Sequence, residues 1–344
     1  MRTILWENNA IKLIDQRKLP DTFEVLECRN VVELGEAIKT LAVRGAPALE
    51  AAGGYGVALA AFERDFTSVE EVKEHIKKRA EYLASTRPTA VNLFVGIERV
   101  LKEALKGESV EEVRELALKE AERIADEDVE RNKKMGRIGA ELFEDGDSIL
   151  TICNTGSLAT VYWGTALGVI RSAVEEGKKI RVYACETRPL NQGSRLTTWE
   201  LMQDGIDVTL ITDSMAGIVM QKGMVNKVIA GADRIVRDAV FNKIGTYTLA
   251  VLAKHHGIPF YIAAPKTTFD WSKKADDVKI EERSRDEIIY CNVKCGKTLM
   301  APQDVKVYNP AFDPTPLELV SAIITEYGII RPPYDRNVPE ILKL

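Results

Sequence analysis

The chain has no long apolar run. No stretch of about 18 consecutive apolar residues occurs in its 344 positions, so no membrane-spanning helix is expected. It also lacks an excess of positive charge. Lys and Arg number 47 against 52 Asp and Glu, and the net charge of −5 argues against a nucleic-acid binder, which needs a clearly basic face. The opening Met1-Arg-Thr-Ile-Leu-Trp-Glu-Asn-Asn9 has no secretory apolar core. Cysteine is scarce and odd in number: Cys28, Cys153, Cys185, Cys291 and Cys295 show no framework spacing. That pattern excludes a disulfide scaffold and predicts a cytoplasmic protein in a reducing compartment.

Common cofactor motifs are missing as well. No Gly-x-x-x-x-Gly-Lys-Ser/Thr loop is present, which removes the commonest nucleotide-phosphate cradle. His255 and His256 are adjacent, so on a helix their rings diverge by about 100° and do not converge on one metal. Cys291-Asn-Val-Lys-Cys295 has the wrong spacing for a redox pair or a zinc knuckle. Gly53-Gly-Tyr-Gly56 follows a helical segment rather than a strand, so it is a poor dinucleotide fingerprint. Neither a zinc site nor the commonest nucleotide-binding loops are expected from these motifs.

With 45% hydrophobic residues, the chain can bury one large core or two smaller ones. Short strands are predicted at Ile4-Leu-Trp6, 10–14 and 23–28, then helices near 31–43 and 47–63, where the glycines imply close backbone packing. Ser68-Val-Glu-Glu71 and Ser109-Val-Glu-Glu112 are capping-box patterns that open further helices. Arg87-Pro-Thr-Ala-Val-Asn92 separates the first of these from another helix ending near Leu105. The second opens an apolar face that persists past residue 140, read as one long helix or two joined near Asp126–Asp128. From about 148 the rhythm changes to short apolar runs alternating with helices, at 148–152, 180–184, 208–212, 228–230 and 260–264. Such alternation predicts a parallel sheet covered on both faces. Thr315-Pro-Leu-Glu318 reads as a third capping box, opening a helix to Tyr327-Gly328. The expected fold class is α/β, with a small, mainly helical domain with short strands over 1–144 and a parallel-sheet domain over 145–344, which the family resemblance described below makes Rossmann-like.

The segment Ile149-Leu-Thr-Ile-Cys153-Asn-Thr-Gly-Ser-Leu-Ala-Thr160 carries the most chemistry. An apolar strand breaks at a cysteine, and a helix is expected to follow with its positive end facing the turn, a terminus that favours anions and a thiolate. The alternative is a turn whose cysteine is merely small and half-buried. Four further polar segments follow predicted strands or open helices: 186–195, 212–214, 231–234 and 242–246. In parallel sheets ligands sit beyond the carboxyl ends of the strands. Lys243, next to Gly245 and Thr246, suits a phosphate; it, Arg188 and Arg195 otherwise pair with nearby acids. Asp233 ends the run Val-Ile-Ala-Gly-Ala, where apolar shielding would suit a general acid, with Asp238 as the fallback.

Eight ordered motifs together resemble the methylthioribose-1-phosphate isomerase family over nearly the whole chain. They are Asp15-Gln-Arg-Lys-Leu-Pro20, Arg44-Gly-Ala-Pro-Ala48, Arg87-Pro-Thr-Ala-Val-Asn92, Cys153-Asn-Thr-Gly-Ser-Leu-Ala-Thr160, Glu186-Thr-Arg-Pro189, Gln192-Gly-Ser-Arg-Leu-Thr197, Gly231-Ala-Asp-Arg-Ile235 and Asn242-Lys-Ile-Gly-Thr-Tyr247. The broader group also holds ribose-1,5-bisphosphate isomerases and non-catalytic regulatory subunits of initiation factor 2B. The resemblance implies an aldose–ketose isomerase of methionine salvage, turning 5-methylthioribose 1-phosphate into 5-methylthioribulose 1-phosphate, and a homodimer. It implies Asp233 as proton donor and Cys153 as the residue stabilising the transition state. It also implies Arg44, Gly45, Ala46, Arg87, Gln192, Asn242 and Lys243 as substrate contacts, with no metal or nucleotide. The chain departs from the family pattern at Asn154-Thr-Gly-Ser157 and at Val236-Arg-Asp-Ala-Val-Phe241, which flank the implied pocket.

Overall fold

A computed structural model describes residues 2–88, 90–293 and 296–344; Thr89 and Cys295, which belong to segments singled out above, lie outside them. The chain forms two compact units. The first holds residues 1–134 and 155–168; the second holds 135–154 and 169–344. This differs from one cut at residue 144. Segment 155–168 returns to the first unit, where the N–H of Thr3 donates to Val161 O at 2.9 Å and Gln16 Nε2 to Leu158 O at 2.7 Å. The Asp15-Gln-Arg motif is therefore structural. Burial pushes Asp15 up, but Arg17, paired to both its oxygens, outweighs that and holds the carboxyl below its usual range.

In the first unit an antiparallel sheet of β1 (Ile4–Glu7), β2 (Ala10–Ile14) and β3 (Val25–Cys28) precedes the helices α1 (Val31–Lys39), α2 (Ala46–Ala60), α3 (Val69–Thr86), α4 (Val91–Ala104) and α5 (Val110–Ala140). The predicted caps form: Ser68 Oγ accepts from the Glu71 N–H, and Ser109 Oγ from the Glu112 N–H. Helix α5 is one continuous helix, not two, and the boundary between the units falls inside it. Asp128 does not interrupt it. Its side chain turns inward instead, accepting from the N–H of Val161 at 2.8 Å and from Asn132 Nδ2 at 2.9 Å. Helix α2 is buried almost all round and lies close against α4, and glycine makes that approach possible. A Cβ on Gly96 would sit 1.9 Å from Glu50 O.

The second unit contains, in chain order, β4 (Ser148–Thr151), α6 (Ala166–Glu175, whose first turn belongs to the first unit), β5 (Arg181–Cys185), α7 (Thr198–Gln203), β6 (Asp207–Ile211), α8 (Ala216–Gln221) and β7 (Lys227–Ala230). There follow β8 (Arg234–Ile235), β9 (Ala239–Lys243), α9 (Thr246–His256), β10 (Phe260–Ala263), α10 (Asp286–Ile289), β11 (Tyr290–Val293), β12 (Gly296–Leu299), β13 (Phe312–Pro316), β14 (Ala322–Thr325), β15 (Gly328–Ile330) and α11 (Tyr334–Leu342). The main sheet has the order β15-β14-β10-β7-β4-β5-β6, parallel throughout except for β15. The helix expected from Thr315 to Tyr327 does not form. Thr315 pairs with Val240 in an antiparallel β13–β9 ladder, and the β-branched run Ala322-Ile-Ile-Thr325 is a buried parallel strand beside β10. Only a short 3₁₀ turn, Leu317–Leu319, survives of it.

Packing and burial in the first unit yield two stability predictions, with Gly217 in α8 of the second unit as a control. Gly96→Ala should cost about 1–3 kcal/mol in denaturant unfolding, because backbone blocks the added methyl. Gly217→Ala, where the nearest atom is 3.8 Å from the new Cβ, should cost nothing. Burial raises Asp128 from 3.8 to about 6, against the opposing hydrogen bonds. The unfolded chain then releases this proton at lower pH than the native one, so the group's contribution falls as pH rises from 4 to 6. The stability of wild type relative to Asp128→Asn should drop by about 3 kcal/mol across that window. A difference flat with pH would contradict a buried, titrating Asp128.

Candidate active site

Numbered among themselves in chain order, the six parallel strands run 3-2-1-4-5-6 across the sheet, so the order reverses between β4 and β7. Crossovers leave such a point in opposite directions, and a crevice opens beyond the carboxyl ends of its two strands. Thr151 of β4 faces Ile229 of β7 in parallel register. Cys153 lies two residues past β4 and Asp233 three past β7, at the same edge of the sheet.

The α-helix expected after Cys153 is absent. Ser157–Ala159 is a single 3₁₀ turn and α6 does not start until Ala166, so the expected helix N-terminus directly after the thiol does not form. The segment is spent instead on a loop closed by the Thr165 N–H donating to Thr155 O at 2.8 Å. Cys153 itself has φ 67°. That is the left-handed region, uncommon for a residue with a Cβ. Two hydroxyls hold it there: Thr187 Oγ1 accepts from the Cys153 N–H at 2.8 Å, and Thr197 Oγ1 donates to the Cys153 carbonyl at 2.7 Å. Behind them Asn154, 2% exposed, donates to Glu200 Oε1 at 2.8 Å. Glu200 accepts from Arg171 at 2.8 Å, and Arg171 also pairs with Asp204 at 2.6 Å. Burial alone would lower the Arg171 pKa, but Glu200 and Asp204 outweigh it and raise it.

The loop after β5 is fixed from the next strand. The Asp213 carboxylate, just past β6, accepts from the N–H groups of Thr187 and Arg188, both at 2.8 Å. Arg188 donates to the carbonyls of Pro189 and Ile288, a structural use of its guanidinium. Gly193 packs on the loop's start, where a Cβ would meet Cys185 O at 1.7 Å. Its neighbour Gln192 is 4% exposed, and its Oε1 has no hydrogen-bond partner. A buried amide oxygen left this way is costly unless a ligand satisfies it. The Cys185 thiol is also buried, and desolvation pushes it far up, unlike a nucleophile.

Asp233 is exposed, not shielded by apolar neighbours as expected from its run. Its N–H donates to Phe241 O at 2.9 Å, which extends the β8–β9 ladder and sets Asp233 opposite Asn242. Asn242 is buried and donates to Thr246 Oγ1 at 2.9 Å. Lys243 is buried too, with Nζ 3.1 Å from Ala311 O and above the Phe312 ring. The following turn returns to the cysteine strand, since a Cβ on Gly245 would be 2.9 Å from Ile152 Cδ1. Asp313 caps α9 from β13, accepting from the Gly245 N–H at 2.7 Å and the Tyr247 N–H at 3.1 Å; burial raises it to about 6. Sequence reading missed Asp313, because 68 residues separate it from Gly245, in the turn it caps. Asp238, the fallback acid, accepts from the Ala275 N–H at 2.8 Å and holds a surface loop.

Arg44, Gly45, Ala46 and Arg87 belong to the first unit, and all are half-buried. Gly45 is the N-cap of α2 with φ 94°, and a Cβ there would lie 2.2 Å from Ala159 O. Among the described residues no group of three or more His, Cys, Asp or Glu is arranged to hold a metal. No described helix is long and apolar enough to cross a membrane.

A profile of the initiation factor 2 subunit family matches residues 42–332. The chain belongs to that family. Within it, a relative from Archaeoglobus fulgidus, provisionally named a methylthioribose-1-phosphate isomerase, is 74% identical over the full length of both chains. A relative from Thermosipho africanus named methylthioribose-1-phosphate isomerase is 52% identical over 99% of this chain and 98% of its own. The solved 5-methylthioribose 1-phosphate isomerase of Pyrococcus horikoshii superposes with a TM-score of 0.94 at 46% identity, covering 99% of this chain and 96% of that one. A second solved structure, from A. fulgidus, is described as translation initiation factor eIF-2B, subunit delta, with a TM-score of 0.95 and 74% identity over both full chains.

The family's cysteine loop rests on a buried ion network, so breaking it from one side should be expensive. Arg171→Met leaves the buried Glu200 carboxylate without its Arg171 counter-charge, and should lower stability by about 3–5 kcal/mol. Adding Glu200→Gln, which still accepts from Asn154, should recover more than half of that loss in equilibrium unfolding.

Proposed function

We propose that this chain isomerises 5-methylthioribose 1-phosphate to 5-methylthioribulose 1-phosphate, a step of methionine salvage in the cytoplasm. The observation that carries the reading is the juxtaposition of Cys153 and Asp233 beyond two adjacent parallel strands at the reversal of strand order. The full-length likeness to proteins named for this reaction supports it. We read the sheet as Rossmann-like from its 3-2-1-4-5-6 order. We also propose a homodimer. The edge strand β6 and nearby elements expose Met202, Leu210, Met215 and Ile218, apolar side chains suited to cover by a second copy.

The chemistry explains the residue types. A phosphate on C1 prevents the ring from opening as a free hemiacetal does, so an acid must protonate the ring oxygen as its bond to C1 breaks. Asp233, solvent-reachable and anchored by its backbone, is the proposed donor. The hydrogen on C2 then relocates to C1 while the C2 hydroxyl loses its proton, which oxidises C2 and reduces C1. Cys153 is proposed beside these carbons, stabilising the transition state from a fixed backbone. Gln192, with its unsatisfied buried oxygen, and Asn242 would contact sugar hydroxyls; Lys243 would contact the phosphate. Arg44, Gly45, Ala46 and Arg87 are proposed as further substrate contacts, on the family resemblance.

The name of the A. fulgidus eIF-2B structure favours a second reading, a non-catalytic regulatory subunit. Purified protein incubated with 5-methylthioribose 1-phosphate, and separately with ribose 1,5-bisphosphate, should form ketose from the first only. Asp233→Asn should keep its melting temperature and lose about 10²–10⁴-fold in kcat, and Cys153→Ser should lose most turnover. Variants as active as wild type would refute the site. Inactivity on both sugars, with co-purification of initiation factor 2, would establish the second reading.

A further inference from the structure

We infer that Thr187 is a positioning residue for Cys153 and that Asp213 fixes Thr187 in turn, an inference that rests on reading Cys153 as the reactive thiol. A cysteine's own φ and ψ set the direction of its Cα–Cβ bond and restrict the χ1 rotamers open to its thiol, and Cys153 holds φ 67°, a conformation its chain would leave if free to do so. The Thr187 hydroxyl is the acceptor for the Cys153 N–H at 2.8 Å, and it spends its own proton on Cys185 O at 3.1 Å. The lone pair it offers to Cys153 is thus oriented by a bond to the last residue of β5, two positions earlier. Thr187 is fully buried and itself left-handed, with φ 65°. Its N–H is locked by one Asp213 oxygen, while the other takes the Arg188 N–H. One carboxylate past β6 therefore holds a loop past β5, and that loop holds the thiol-bearing residue past β4. The segments past three successive parallel strands thus fix the Cys153 backbone through side-chain bonds to main-chain groups.

Thr187→Val keeps the shape and the β-branch but removes the acceptor, whereas Thr187→Ser keeps it. Alkylation of Cys153 by iodoacetamide, followed without substrate by peptide mass spectrometry, reads the thiol's setting independently of any isomerase activity. The Cys153 alkylation rate should change at least 3-fold in Thr187→Val, in either direction, and stay within 1.5-fold of wild type in Thr187→Ser. In the isomerase assay Thr187→Val should lose at least 10-fold in kcat with KM within 2-fold, and Thr187→Ser should restore it. Should Thr187→Val fail to fold, Asp213→Asn, which keeps only one good acceptor for the two N–H groups, should shift Cys153 alkylation in the folded protein. Equal alkylation rates in wild type and the folded variants, or a serine variant as impaired as the valine one, would overturn the inference. Wild-type inactivity on the sugar with the alkylation shift present would overturn the proposed function and leave the positioning intact.

Discussion

The parallel pairing of β4 with β7 is the contact on which the second unit's chemistry depends. These strands sit at the centre of the sheet and are buried, so their position is set by apolar packing on both faces. Because strand order reverses between them, the chain leaves each carboxyl end in a different direction. Residues only two or three positions past each strand are consequently brought to one edge. The β8–β9 hairpin then adds Asn242 and Lys243 to the same edge through its pairing beside Asp233.

Around this edge the backbone is held in conformations that the residues do not favour in isolation. Cys153, Thr187 and Asn191 all have positive φ, at 67°, 65° and 55°. Each such residue costs on the order of 1 kcal/mol, which surrounding bonds must offset. They do so densely. Thr187, Thr197 and Asp213 pin backbone groups directly, and Glu200, Arg171 and Asp204 satisfy one another behind Asn154. A buried network of this kind rigidifies only when every member is partnered, which is why Arg171 lies between two carboxylates. Where a polar atom is left over, as at Gln192 Oε1, it lies in a segment that the family resemblance assigns to substrate.

Membership of the initiation factor 2 subunit family settles the fold and leaves function to the site, since chains named as an isomerase and as an initiation-factor subunit share this architecture. The proposed isomerase reading rests on the pair Cys153 and Asp233 at the strand ends. The thiols divide accordingly. Cys28 and Cys185 are buried and pushed up by desolvation, inert parts of the packing, while Cys153 is half-buried in a loop that other residues go to some length to fix.

Periodicity and caps alone determined most elements, including the strands at 10–14, 148–151, 227–230 and 260–263 and the helices opened by Ser68 and Ser109, because these signals are local. The candidate residues at strand ends were legible for the same reason: an apolar run that stops at a polar turn marks the edge of a sheet. Local signals misled wherever a distant partner decided the outcome. Thr315-Pro-Leu-Glu318 has the letters of a helix cap, yet β9 and β10 were waiting for strands, and pairing outweighed propensity. The helix expected after Cys153 gave way because residues 155–168 bond to Thr3 and Gln16, more than 140 positions earlier. The exposure of Asp233, the left-handed turn at Cys153 and the hydroxyls and carboxylate that hold it were equally invisible. They arise from contacts between segments far apart in sequence, and only the folded chain supplies those.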